Sequence, residues 1–238
     1  MINIKTMKII EKEIKVNYMK KLLLALLVLT VISFALYQKA SNQRNAAAQY
    51  NLGIIYDKGQ GVTQNYIKAA KLYQKAAKQE HAGAQANLGF MYYYGQGVTQ
   101  NYIKTAKLYQ KASNQGNALA QYNLGIMYEK GQGVKQSYVK AAKLYQKAAD
   151  QGDAGAQANL GIMYEKGQGV KQSDVEAAKF YQKAANQGDT SAQNKLGFMY
   201  VKGQGVKQSD VKAKELFKKT CDGGSEWGCK AYAILNKR

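Results

Sequence analysis

Proline is absent from the 238 residues, histidine and tryptophan occur once each, and arginine occurs only as Arg44 and Arg238. Each shortage excludes something. With His81 alone, a histidine-rich metal site has no ligand set and a histidine-based triad has one candidate base. His81 therefore reads as a solvated loop residue, and no cofactor is implied. Lys and Arg outnumber Asp and Glu by 35 to 15, for a formal charge of +20. That excess is nearly all lysine, a point charge without the fork that reads phosphates and guanine edges, so specific nucleic-acid recognition is not expected. Diffuse attraction to an acidic protein or an anionic envelope polymer fits better, with solvated helix faces as the plain alternative. Five phenylalanines against 23 glycines point to many small turns and a modular chain.

The amino-terminal segment has the order of an export signal. Met19, Lys20 and Lys21 precede an uncharged run from Leu22 to Gln38. Ser33 and Ala35 put small residues at the first and third places before a cut, so residues 1–35 are expected to be a leader and signal peptide. The runner-up is an uncleaved inner-membrane anchor through 22–37, which falls short of the ~20 residues that span a bilayer. The expected location is periplasmic or secreted. Met19 is an alternative start. Removing residues 1–35 takes out six lysines and two acids and leaves +16, so the charge belongs to the remainder of the chain.

That remainder repeats. LGIIYDKGQGV at Leu52 returns at Leu88, Leu124, Leu160 and Leu196, always 36 residues on. Full units occupy 46–81, 82–117, 118–153, 154–189 and 190–225, and 226–238 begins a sixth that stops after one helix; ALYQKASNQ at 35–43 precedes them as a half-unit. In the third unit, Leu124, Ile126, Met127 and Tyr128 recur at helical spacing, and Gly131 and Gly133 end that helix. A second helix starts after Ser137, whose counterparts Asn65, Asn101, Ser173 and Ser209 are all capping types. Val139, Ala142, Leu144, Tyr145, Ala148 and Ala149 make its apolar stripe, and Gly152 closes it. One hairpin cannot bury both stripes, so the units are expected to stack into an all-α, right-handed α/α solenoid over 36–238. The mid-helix glycines, Gly53 to Gly197, each cost ~1 kcal/mol against alanine. Close approach of the second helix at Ala69, Ala141, Ala177 and Ala213 is the expected reason.

The unit, A-x-x-x-L-G-x-x-Y-x-x-G-x-G-V with K-A-A-x-x-Y-x-x-A-A in its second half, resembles the Sel-like repeat, a relative of the tetratricopeptide repeat. The resemblance implies an interaction scaffold and names no partner. Leucine at Leu72, Leu108 and Leu144 departs from the family's usual aromatic. Cys221 and Cys229 resemble the C-x7-C staple of Hcp-type cysteine-rich secreted proteins, which implies a disulfide worth about 2 to 3 kcal/mol in the chain-entropy account.

Three further patterns bear on function. Gly59, Gln60 and Gly61 suggest a nucleotide loop, but no strand precedes them and they recur at every turn. Ser137 with Lys140, and Ser209 with Lys212, match Ser-x-x-Lys. Resemblance to Hcp-type proteins makes penicillin binding with weak beta-lactamase activity the enzymatic alternative, against which the same serines read as helix caps. Positions that vary while the frame stays fixed nominate contact residues: Tyr50 and Tyr122 at the fifth place of the unit, and Tyr66, Tyr102 and Tyr138 after the second-helix cap.

Overall fold

The computed structural model describes residues 4–237, with side chains placed for 15, 16, 18–24 and 32–237. The described residues form helices without a strand: α1 (Ile4–Asn42), α2 (Ala46–Lys58), α3 (Tyr66–Lys78), α4 (Ala82–Tyr94), α5 (Tyr102–Asn114), α6 (Ala118–Lys130), α7 (Tyr138–Asp150), α8 (Ala154–Lys166), α9 (Asp174–Asn186), α10 (Thr190–Lys202), α11 (Asp210–Asp222) and α12 (Glu226–Asn236). The class is the expected one, an all-α solenoid of helix-turn-helix repeats. The helices fall into two compact units, one ending at Ala84 with Gln96–Thr99 added, the other comprising Gln85–Gly95 and everything from Gln100 on.

Caps set the boundaries. In the larger unit, Asn117, Asp153 and Asp189 accept the third backbone N–H of α6, α8 and α10 at 2.7–2.8 Å. Asn101 and the serines 137, 173 and 209 do the same for the second helices. The first helices end where Gly131, Gly167 and Gly203 adopt the left-handed conformation, φ 67–69°. The second helices close differently from expectation. The caps of α5, α7 and α9 are glutamines, Gln115, Gln151 and Gln187, and that of α11 is Gly223; in each the glycine one residue on takes the positive φ.

Packing explains the mid-helix glycines. A Cβ on Gly125 would lie 2.6 Å from the Tyr145 ring, on Gly89 2.8 Å from Tyr109, and on Gly161 2.5 Å from Tyr181. In the smaller unit Gly53 meets Tyr73 at 2.6 Å. The expected close approach is present, since Thr105 Oγ1 donates to the Gly89 carbonyl at 3.2 Å. What fills the missing side chain's space, though, is the aromatic ring. Each ring is 0–2% exposed. Fully burying an aromatic contributes about 1.5–3 kcal/mol, which outweighs the ~1 kcal/mol helix cost of glycine.

The apolar stripe needs one correction. Val139 is 52% exposed, as are Ile103 (61%), Val175 (51%) and Val211 (68%) at the same place. The second position of the helix faces solvent because Ala141, Ala142, Tyr145, Ala148 and Ala149 already take the inward face.

The second glycine of the turn contacts the preceding repeat in four of the five units, Gly61 of the first meeting nothing. A Cβ on Gly133 would overlap the carbonyl of Tyr102, and one on Gly169 that of Tyr138. Gly152 has nothing within 4 Å and needs glycine only for φ +91°. Both Gly133→Ala and Gly152→Ala should lose about 1–2 kcal/mol to left-handed strain. Gly133→Ala should lose at least twice as much in total, because the backbones must also separate. Urea unfolding followed by circular dichroism measures both; equal losses would show that the turn does not touch its neighbour.

Candidate partner-binding surface

The five nominated tyrosines divide into two classes. Tyr50 and Tyr122 are packing residues. Tyr50 stacks on His81 with ring centroids 4.5 Å apart, and a Cβ on Gly83 would lie 3.0 Å from its Cζ. Tyr122 lies 5.9 Å from the Tyr145 ring and at the same 3.0 Å from a Cβ on Gly155. Burial pushes the Tyr122 phenol up, with Asp153, Asp189 and Glu129 adding to the effect. Variation at the fifth place goes with variation 33 residues on: Tyr50 with Gly83, Ala86 with Leu119, Tyr122 with Gly155, Ala158 with Ser191, Asn194 with Trp227. At Tyr50 over Gly83 and Tyr122 over Gly155 the ring fills the space the glycine leaves, which is volume complementarity and needs no ligand; Leu119 and Trp227 are instead half-exposed.

His81 is also a structural residue, contrary to expectation. Its Nδ1 accepts the Ala84 N–H at 3.2 Å, where other units use Asn or Asp as the cap.

Tyr66, Tyr102 and Tyr138 are half-buried and keep a solvent-facing side. Their carbonyls meet the turn glycine described above, so the backbone is committed while the side chain is free to vary. Tyr102 and Tyr138 accept hydrogen bonds from Gln100 and Gln136 at 3.1 and 3.2 Å. The exposed Ile103 and Val139 follow them directly. All five tyrosines are half-buried, and Tyr102 and Tyr138 also pack against the core; what distinguishes the group after the caps is the exposed Ile67, Ile103 or Val139 beside each.

The Ser-x-x-Lys pairs are caps in geometry. Ser137 and Ser209 accept the Lys140 and Lys212 backbone N–H groups at 3.3 Å. The two ammonium groups lie over the rings of Tyr128 and Tyr200, 5.1 and 5.2 Å from the centroids. Among the described residues no cluster of three or more His, Cys, Asp or Glu is arranged to hold a metal.

A family model, Sel1 repeat, matches residues 31–45, 46–81, 82–117, 118–153, 154–189 and 190–225. The chain belongs to the Sel1 repeat family. Its fold resembles that of a protective antigen of uropathogenic Escherichia coli displaying an SLR fold, at 36% identity over 84% of this chain and 43% of that one, TM-score 0.81. This chain thus spans less than half of that protein. A Sel1 repeat protein from Oxalobacter formigenes is 36% identical over 80% of this chain and 76% of its own, TM-score 0.73. Helicobacter pylori cysteine rich protein B is 28% identical over 52% of this chain and 95% of its own; its TM-score of 0.41 carries no transfer of function. Among curated proteins none matches.

The Sel1 repeats of this chain hold a polar ladder that the sequence reading passed over. Gln121 and Gln157 are buried and donate to the carbonyls eight residues back, Ser113 and Ala149, at 3.3 and 3.2 Å. Each also accepts from the capping glutamine 30 residues on, Gln151 and Gln187, at 2.7 and 2.8 Å. Gln49 repeats the pattern with Ser41 and Gln79 in the smaller unit. The available signal was a glutamine at the fourth place of all five units, Gln49 to Gln193. At the last junction Cys229 occupies that place and Cys221 the place eight residues back, and the two form a disulfide with Cα atoms 4.5 Å apart. A covalent bond thus replaces the Gln193 to Ala185 hydrogen bond of the junction before it. A disulfide suggests an oxidising, extracytoplasmic location.

Charge joins two Sel1 repeats directly. Lys195 Nζ lies 3.1 and 3.2 Å from the Glu165 oxygens, and Tyr181 donates to the same carboxylate at 2.5 Å. Burial opposes ionisation of Glu165, but Tyr181 and Lys195 win and hold its carboxyl below the ordinary range. Asp57 shows the reverse balance: burial raises its pKa despite a longer bond, 3.4 Å, from Tyr73.

Two outcomes follow for this surface. Tyr122→Ala should destabilise the solenoid by about 2–4 kcal/mol, and adding Gly155→Leu, the pairing used by Ala86 and Leu119, should recover part of that loss. Thermal unfolding that shows no recovery would remove the complementarity. Because the folded Glu165 pKa is depressed, its stabilisation is fully present above the ordinary carboxylate range and is lost as pH falls from there through the lowered folded value. The stability difference between wild type and Lys195→Met should therefore be present at neutral pH and vanish in acid. A difference independent of pH would contradict the assignment.

Proposed function

We propose that the chain is an exported scaffold that holds an acidic protein partner against the basic faces of its second helices. A Sel1 repeat scaffold fits a protein-interaction role. The observation that carries the finer reading is the partition of lysine. In the larger unit the second helices α5, α7, α9 and α11 bear twelve lysines against six acids, with the excess on α5 and α7, while the first helices α6, α8 and α10 bear four, Lys130, Lys166, Lys195 and Lys202, against Glu129 and Glu165. Lys107, Lys143, Lys147 and Lys218 are exposed. Rows of cations repeating along one set of helices steer an acidic partner to that face. Tyr66, Tyr102 and Tyr138, at the start of those helices, would supply short-range contact. An anionic envelope polymer meets the same charge and is the second ligand to try.

Export is supported by the disulfide and by Lys20 and Lys21 before the apolar run. No helix among the described residues is long and apolar enough to cross a membrane, and 25–31, the centre of the segment read as a signal or anchor, lies outside the described side chains. The disulfide and the scaffold fit periplasmic or secreted use. Penicillin chemistry has no comparable support, since both serines act as caps.

The test is capture of partners from envelope extract on immobilised protein at about 50 and 500 mM salt, with a Lys107→Glu, Lys143→Glu, Lys147→Glu, Lys218→Glu variant beside the wild type. Screening shortens the reach of exposed charge to a few ångströms at high salt. Captured protein should be acidic and be released by salt and by the variant. Capture indifferent to both would mean that another face and another force are used.

A further inference from the structure

The junction between the fifth unit and the terminal half-unit differs from the others. At the fifth place, where Tyr122 fills the space over Gly155, the chain has the shorter Asn194, and its counterpart 33 residues on is Trp227. The exchange leaves a cleft of about 320 Å³ lined by Ser191, Asn194, Lys195, Phe198 and Trp227. Phe198 on α10 is 43% exposed and Trp227 on α12 is 49% exposed, although Trp227 also packs edge-on against Phe217 at 5.4 Å. Two large aromatics stay half in water beside a cleft that packing alone would have closed.

One polar atom marks the cleft as more than a packing fault. The Asn194 amide oxygen is buried and has no hydrogen-bond partner. Orphaned acceptors cost stability, and alanine stands at this place in two other units, so the frame does not require the amide. Asn194 lines the cleft while its oxygen is buried, and the terminal torsion of asparagine is broad and two-fold, so rotation of the amide is the one rearrangement that ligand binding here requires. The remaining polar groups are few: the Ser191 hydroxyl, and Lys195, already bonded to Glu165. One further cation reaches the cleft wall, and the exposed Glu226 precedes Trp227 on α12. Lys202 Nζ lies 4.4 Å from the Phe198 centroid, and Lys230 is exposed on α12.

We propose that this cleft is an anchor subsite for a peptide segment of the partner. One large apolar side chain enters between Phe198 and Trp227, the backbone N–H of that residue donates to Asn194 Oδ1, and flanking acidic residues meet Lys202 and Lys230. The assignment deepens the scaffold reading and rests on it. A saccharide fits less well, because a hydroxyl-rich ring needs more polar partners than one free amide and one serine. An aromatic-walled slot with a single acceptor suits an apolar side chain on an amide backbone, and tryptophan is among the residue types enriched where binding energy concentrates.

Trp227 is the only tryptophan, so its emission reports on this cleft alone. The probes are a blocked hexapeptide with one leucine among aspartates, the same peptide N-methylated at the leucine nitrogen, a version with serine for leucine, and tri-N-acetylglucosamine. The leucine peptide should shift Trp227 emission saturably, with affinity confirmed by calorimetry. The serine and N-methyl peptides should bind about tenfold more weakly. On Asn194→Ala the leucine peptide should weaken by a similar factor and N-methylation should cost nothing more, which isolates the hydrogen bond. Asn194→Ala places a residue already used at this place elsewhere, so the fold is retained; circular dichroism checks it. No emission change up to about 1 mM peptide, or Asn194→Ala binding as tightly as wild type, would overturn the proposal, as would a response to the sugar and not to the peptide. Failure here is separable from failure of the scaffold. Partner capture by wild type and Asn194→Ala alike overturns this cleft and leaves the scaffold standing, whereas no capture by either removes both.

Discussion

In the hairpins of this chain an aromatic ring on the second helix rests where the first helix has no side chain. Gly125 under Tyr145 and Gly161 under Tyr181 show the arrangement, and Gly197 under Phe217 repeats it with a phenylalanine. The contact does two jobs. It buries the largest side chain of each unit, and it admits the second helix in a single register, since any shift along the axis would bring a Cβ into the ring. In three hairpins the ring's hydroxyl also meets an acid on the first helix, Tyr73 with Asp57, Tyr145 with Glu129 and Tyr181 with Glu165, so the buried phenol is satisfied at its one polar end; α4, beneath Tyr109, has no acid.

With the hairpin fixed, neighbours within a unit are joined by contacts that leave the outer surface open to change. Turn glycines press on the preceding repeat's backbone, and buried glutamines tie three helix segments together, with a disulfide taking over at the last junction. All of these use the backbone or inward-facing groups. The residue after each second-helix cap can therefore be tyrosine or aspartate, and the exposed faces of α5, α7, α9 and α11 can collect lysine, without cost to the frame. A repeat protein acquires its binding properties on such tolerant positions.

Period, helix type and the second-helix caps were legible in the sequence because each is written five times. The cysteine bridge was legible by family likeness. Less visible was anything that depends on pairs of positions. Tyr50 and Tyr122 looked like contact residues because the fifth place varies, and only the packing shows that Gly83 and Gly155 vary with them. Val139 passed as buried because a helical stripe drawn from periodicity is one residue wider than the inward face permits. His81, expected in solvent, caps α4, since a ring nitrogen serves as an acceptor where asparagine is usual. The glutamine ladder was overlooked because an invariant polar residue reads as surface until its partners 8 and 30 residues away are seen.

The interaction surface, the cleft beside Trp227 and the stacking of units all presuppose that the ring and the glycine select each other. A double-mutant cycle on Gly161→Ala and Tyr181→Leu measures that directly. Gly161→Ala alone should destabilise markedly even though alanine is the better helix former, and in the Tyr181→Leu background its cost should fall, giving a coupling of about 1 kcal/mol or more. Additive losses would mean that the glycine is there for some other reason and that the hairpin is not set by the ring.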